Sequence, residues 1–188
     1  VAEQLYERGI SIGKFIPILE IPLPPKPVDI AENKESRKAY RRAATEVQNK
    51  NASVFRRSCR TRMTMETVRR FRYKDFYCPW SFDYRGRAYP IPAFLTPQTD
   101  DFGKSLIRFA NESVVTPEAE DWLAFQCATT YGLDKSTMNE RLEWVEQNED
   151  LITRIAEDPF STLSEWEAAE EPWQFLASCE EYYAVVTK

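Results

Sequence analysis

The chain has 188 residues, 43% of them hydrophobic, and no histidine, so it can bury the core of one or two domains while every scheme that runs on imidazole is excluded. Its net charge of −5 hides two opposed parts: residues 34–87 hold 16 Lys and Arg against 5 acids, and residues 111–188 hold 4 against 18. No apolar run reaches the roughly 20 residues of a membrane helix, no secretory pattern opens the chain, and Cys59, Cys78, Cys127 and Cys179 form no C-x-x-C pair, which points to an intracellular protein with reduced, mostly buried thiols.

In chain order, residues 15–30 (FIPILEIPLPPKPVDI) contain five prolines and read as an extended connector. From Glu32 to about Lys50, and again from about Ser53 to Tyr73, the sequence lacks Gly and Pro and is rich in helix formers, which predicts two helices. Asn49–Asn51 is the expected turn between them, making a basic helical hairpin. Arg56, Arg57, Arg60, Arg62, Arg69, Arg70, Arg72 and Lys74 are interleaved there with Phe55, Phe71, Tyr73 and Phe76. That mixture suits neutralising phosphates and packing on sugars or bases, although a solvated helix face would also use it.

At Phe76 the pattern turns aromatic and partly alternating, FYCPWSFDYRGRAYPIPAFL, which reads as short antiparallel strands around a turn. Helical signals follow over Phe102–Ala110, then from Thr116 as N-cap and Pro117 at the first helical position to Tyr131 before Gly132. Thr137 and Glu140 form a capping-box pattern that opens a helix to about Gln147. Further helices are expected over Asp150–Glu157, stopping at Pro159, and from Pro172 towards the end. The fold class is therefore mainly α with a small antiparallel β element, an α+β chain. Val1 in place of a methionine and an apolar last helix with no terminating Gly or Pro together favour a fragment.

The sharpest local motif is Asp83-Tyr84-Arg85-Gly86-Arg87. Its glycine permits a tight turn between two arginines that can be aimed at phosphates, and equally Asp83 and Arg87 could form an ion pair that pins a hairpin. Asp100-Asp101, Glu170-Glu171 and Glu180-Glu181 could be imagined as metal ligands, but adjacent acids before or within helices more commonly cap them or carry solvated charge.

The D-x-x-G-R motif, followed by Ala88-Tyr89-Pro90 and by the Asp101–Ala110 segment, resembles the corresponding region of the single-subunit RNA polymerases of T-odd-type phages and mitochondria. Residues 24–50 resemble that family's connector and first thumb helix, and Asp121–Asn148 and Pro172–Val185 its next palm-region helices in the same order. The resemblance implies a piece of a right-hand polymerase fold divided into an N-terminal segment and connector (1–30), a thumb-like basic hairpin (31–75) and an incomplete start of the palm (76–188).

It further implies that Arg87 contacts the template strand or RNA–DNA hybrid while Asp83 braces the loop, that Arg85, Tyr89 and Lys104 lie near the growing RNA and template, and that Arg56, Arg57, Arg60 and Arg62 grip the hybrid backbone. The implied partners are a DNA template, an RNA–DNA hybrid, nucleoside triphosphates and the remainder of the palm and fingers, with no membrane; the setting would be cytoplasmic, that of an infected bacterial host if phage-encoded. The cofactor implied for the parent enzyme is Mg, held by catalytic aspartates expected beyond Lys188, so no catalytic or metal residue is assigned in this chain. The alternative is a non-catalytic nucleic-acid-binding module related to such a polymerase.

Overall fold

The computed structural model describes residues 1–111 and 113–187. Two compact units emerge: one holds Ala2–Ser11 and Phe15–Met63, the other Val1, Ile12–Lys14 and the residues from Thr64 onward.

In the first unit, helix α1 (Ala2–Glu7) buries Leu5, and Tyr6 meets the buried Phe15 edge-on with ring centroids 6.2 Å apart. Helix α2 runs without a break from Lys34 to Phe71. Asn33 starts it, its Oδ1 accepting from the N–H groups of Glu35 and Ser36 at 3.0 and 3.3 Å. The expected helical hairpin is therefore corrected to a single 38-residue helix.

Its continuity has a pattern behind it. Arg37, Tyr40, Ala44, Val47, Asn51, Val54, Ser58, Thr61, Met65 and Val68 recur at alternating spacings of three and four, and every one is buried or half-buried. This heptad-like stripe passes straight through Asn49–Asn51, where no Gly or Pro interrupts and asparagine costs a helix only a few tenths of a kcal/mol.

Instead of turning the chain, Asn51 holds the connector. Its Oδ1 accepts from the Ile21 N–H at 2.9 Å and its Nδ2 donates to the Ile21 carbonyl at 2.9 Å. Ten residues along the same stripe, the Thr61 hydroxyl accepts from the Ile16 N–H at 3.0 Å. Five residues of polyproline-type chain and ten of α-helix both span about 15 Å, so the connector runs antiparallel along α2 with its amides in step with the stripe.

In the second unit, strands β1 (Trp80–Phe82) and β2 (Ala88–Pro90) pair antiparallel, with Trp80 opposite Pro90 and Phe82 opposite Ala88. Then come α3 (Asp101–Ser105), α4 (Pro117–Tyr131), α5 (Met138–Gln147), α6 (Glu149–Glu157), α7 (Leu163–Trp166) and α8 (Pro172–Val186). Helix α8 is the central element and packs on α3, α4, α6 and α7. It buries Trp173, Phe175, Leu176 and Cys179 against Trp166, Cys127, Ala128, Ile152 and Ile155. Edge-on ring pairs Phe102–Trp173 (4.9 Å) and Trp166–Trp173 (5.4 Å) tie α3 and α7 to it.

The local start and stop signals act as read. Thr116 caps α4 with Pro117 at its first turn and Gly132 behind it, and Thr137 and Glu140 make both bonds of a capping box. The helix expected over Phe102–Ala110 is corrected to five residues, Asp101–Ser105. There the Ser105 hydroxyl bonds the Phe102 carbonyl at 2.8 Å, a local alternative to continuing the helical ladder. Trp122 is exposed and stacks edge-on against Phe125 at 5.3 Å.

Candidate nucleic-acid interface

The D-x-x-G-R segment forms the tip of the β1–β2 hairpin. The Gly86 N–H donates to the Asp83 carbonyl at 3.0 Å, and the Asp83 N–H to the Arg87 carbonyl at 3.0 Å. This closes a three-residue loop of Tyr84, Arg85 and Gly86, with Gly86 at φ +77°, the left-handed position that a glycine takes without strain.

Asp83 holds the loop from inside. Its Oδ1 accepts from the backbone N–H groups of Arg85 (2.8 Å) and Arg87 (3.0 Å), and its Oδ2 from Arg87 Nε at 2.8 Å, with Nη2 at 2.7 Å. These bonds, led by that from the Arg87 N–H, hold the Asp83 carboxyl below its usual range. The hairpin-pinning ion pair anticipated from sequence is thus present, and it also fixes where Arg87 points. Asp83 takes the Nε–Nη2 side of the guanidinium, leaving Nη1 on an Arg87 side chain that is 57% exposed.

The aromatic residues of the tip carry the two arginines. Arg85 lies over Tyr84 at 5.2 Å and Arg87 over Tyr89 at 5.7 Å from the ring centroids. Asp83, Arg85, Arg87 and Tyr89 therefore come together at one tip, as an exposed pair of cations backed by π-faces, an arrangement that can meet a phosphate backbone.

Lys104 is placed elsewhere in the same unit. It sits on α3 and lines a depression of about 370 Å³ with Asp100, Asp101, Glu170 and Trp173, to which no hairpin residue contributes. Arg56, Arg57, Arg60 and Arg62 of α2 belong to the first unit and are all exposed. Arg56 and Arg60 share a helix face four residues apart, and Arg62 covers Phe55 at 4.8 Å.

The acidic pairs resolve into structural roles. Asp100 caps α3, its Oδ1 accepting from the Gly103 N–H at 3.1 Å. Asp101 caps α8 from across the fold, accepting from the Trp173 and Gln174 N–H groups at 2.9 Å each. Glu171 accepts from the Gln174 amide, and Glu181 lies 3.9 Å from Arg108. Among the described residues no group of three His, Cys, Asp or Glu could hold a metal ion. The described carboxylates do not fit a two-metal centre, and no chemical step is assigned to them.

Sequence reading missed one feature. Tyr77, Trp80 and Phe109 join Arg72, Lys74 and Arg108 around a depression of about 570 Å³. Residues 107–110 meet 72–80 only through the folded chain, so no local signal announces the arrangement. Among the described residues no helix is long and apolar enough to cross a membrane.

A family model described as DNA-dependent RNA polymerase matches residues 113–188. The chain is 31% identical over 183 residues to the mitochondrial DNA-directed RNA polymerase of Neurospora crassa, covering 97% of this chain and 13% of that protein. It is 32% identical over 183 residues to the T7 RNA polymerase of Escherichia phage T7, covering 94% of this chain and 20% of the phage protein. A chloroplastic and mitochondrial DNA-directed RNA polymerase of Arabidopsis thaliana is 28% identical over 182 residues, 95% of this chain and 18% of its own length. The chain thus spans about an eighth to a fifth of the curated relatives it matches.

Proposed function

We propose that this chain, which belongs to the single-subunit, phage-type DNA-dependent RNA polymerase family, is the part of a DNA-directed RNA polymerase that grips the template and the RNA–DNA hybrid. The observation that carries the reading is the braced arginine at the hairpin tip. Asp83 holds the Arg87 guanidinium by two bonds, at Nε and Nη2, and its backbone N–H by a third; the two side-chain bonds remove rotamer freedom that a guanidinium otherwise loses on meeting its partner. A preoriented cation of this kind positions a strand through its phosphates without reading sequence.

In this reading Arg87 contacts the template or hybrid, and Arg85 and Tyr89 flank it. Arg56, Arg57, Arg60 and Arg62, on a thumb-like α2, hold the hybrid backbone, and Lys104 lies towards the growing RNA. Residues from about 76 onward begin a palm. Nucleoside triphosphates and Mg would be held by residues outside this chain, and no step through them is assigned to its own side chains. The chain's own contribution is binding and orientation.

The test is nucleotide incorporation on a primed template by the full-length protein, wild type against Arg87→Ala and Asp83→Asn. Arg87→Ala should depress incorporation and hybrid affinity together, by roughly tenfold or more for one lost charge-assisted contact. Asp83→Asn should lie between the two. Wild-type incorporation by Arg87→Ala would refute the assignment.

A further inference from the structure

We propose that residues 98–101 are a positioning junction for Arg87, with Gln98 the residue that sets the aim of the hairpin tip. The inference rests on the reading that Arg87 meets the template or hybrid, and deepens it by naming what holds the tip in place.

A hairpin of two three-residue strands does not fix its own direction. A ribbon this small is marginal alone, and β1 and β2 pack chiefly on each other, while α3, α4, α6 and α7 gather on α8. The orientation of the tip therefore depends on ties to the packed helices. Gln98 supplies one close to the group it would aim: its Nε2 donates to the Ala88 carbonyl at 3.2 Å, one residue beyond Arg87. The ribbon leaves that carbonyl available. The Asp83 N–H donates to the Arg87 carbonyl and Phe82 stands opposite Ala88, so Phe82 and Ala88 form the adjacent non-hydrogen-bonded pair, whose backbone polar groups point away from the ribbon.

The residues after Gln98 carry the tie inward. The Thr99 N–H donates to the Thr96 carbonyl at 3.1 Å, and Thr99 stands so near Gly103 that a Cβ there would lie 2.3 Å from Thr99 Cγ2, so this turn and α3 are in close contact. Asp100 caps α3, and its carbonyl accepts from the Lys104 N–H at 3.0 Å. Asp101 accepts from the Trp173 and Gln174 N–H groups at the start of α8. Four consecutive residues thus engage β2, α3 and α8 in turn. A glutamine on an unanchored loop would hold the tip to nothing, whereas one whose neighbours are fixed to the central helix gives Arg87 a defined bearing. The same segment sets the start of α3 and with it the place of Lys104, so both strand-handling groups are referenced to one junction.

The experiment measures the affinity of the full-length protein for a primed template in a double-mutant cycle of Gln98→Met, which removes the donor and keeps the length of the side chain, and Arg87→Ala. Gln98→Met alone should weaken binding by about 2- to 10-fold, the range of one hydrogen bond. In the Arg87→Ala background it should add nothing, because the group being aimed is gone. Unchanged affinity in Gln98→Met, with Arg87→Ala weakened, would overturn the junction and leave the broader reading standing. An equal loss in both backgrounds would overturn it too, since a merely structural role lowers affinity by the same factor whether or not Arg87 is present. Wild-type affinity in Arg87→Ala alone would refute the broader reading, and the junction with it.

Discussion

Replacing Asp101 by alanine tests the packing logic of the second unit most directly. Both carboxylate oxygens of Asp101 accept from helix α8, from the Trp173 and Gln174 N–H groups at 2.9 Å, and the Gln174 amide adds a weaker contact at 3.3 Å. These N–H groups are among the orphan donors of a helix start, and Glu171, the residue at the cap position, supplies no side-chain cap. Hydrogen bonds to a charged acceptor are worth about 1.5–3 kcal/mol each, and a lost helix cap about 1 kcal/mol. Because the bonds share one carboxylate, a combined loss of about 2–4 kcal/mol is expected. In a chain of this size each kcal/mol moves Tm by roughly 2–4 °C, so Tm should fall by about 5–15 °C. Trp173 is buried beside the lost contact, which makes tryptophan fluorescence a suitable reporter of thermal unfolding. Asp101→Asn, which keeps one acceptor oxygen, should lose about half as much. A fall of less than about 2 °C for Asp101→Ala would refute the claim that this carboxylate docks α8.

Three further outcomes are expected. Asn51→Ala removes both bonds to Ile21 and should raise the hydrogen-exchange rate of the Ile21 amide by at least about tenfold, with α2 still helical; unchanged exchange would show that the connector is held otherwise. Asp83 has a depressed carboxyl pKa in the folded chain, so the brace is fully formed above the unfolded value of about 3.8 and is lost only as pH falls through the lower folded value. The amide shifts of Arg85 and Arg87 should accordingly titrate with a midpoint below 3.8, and a midpoint above it would contradict the geometry. Cys179 is buried with its thiol pushed upward, first by its hydrogen bond with Cys127 and then by burial, so a thiol reagent should modify the half-buried Cys59 and Cys78 first. Early modification of Cys127 or Cys179 would mean that α4 and α8 part readily.

What could be read in the sequence was what neighbours in the chain decide. The caps at Thr116 and Thr137, the stop at Gly132 and the Asp83–Arg87 pair each depend on residues within four positions of one another, so their chemistry is visible in the string. Asn49–Asn51 was misread because the preference of asparagine for turns is small, and the decisive partner of Asn51 lies thirty residues earlier at Ile21. The 3-4 stripe runs through the same residues and outweighs the turn signal. Asp101 was correctly placed among capping acids, yet which helix it caps depends on Trp173, more than seventy residues away. The depression lined by Tyr77 and Phe109 was invisible for the same reason.

The pairing of connector and α2 works as a vernier. One connector residue advances as far as two helical residues, so a single insertion between Ile16 and Ile21 would shift the partner by two helical positions, about 200° around the axis and onto the opposite side of the helix. Two inserted residues would shift it by four positions, about 400°, and return it to within about 40° of the original side. Length changes in this connector should thus be tolerated in pairs and resisted singly, an even-numbered constraint on a stretch whose proline-rich composition would otherwise suggest a passive spacer.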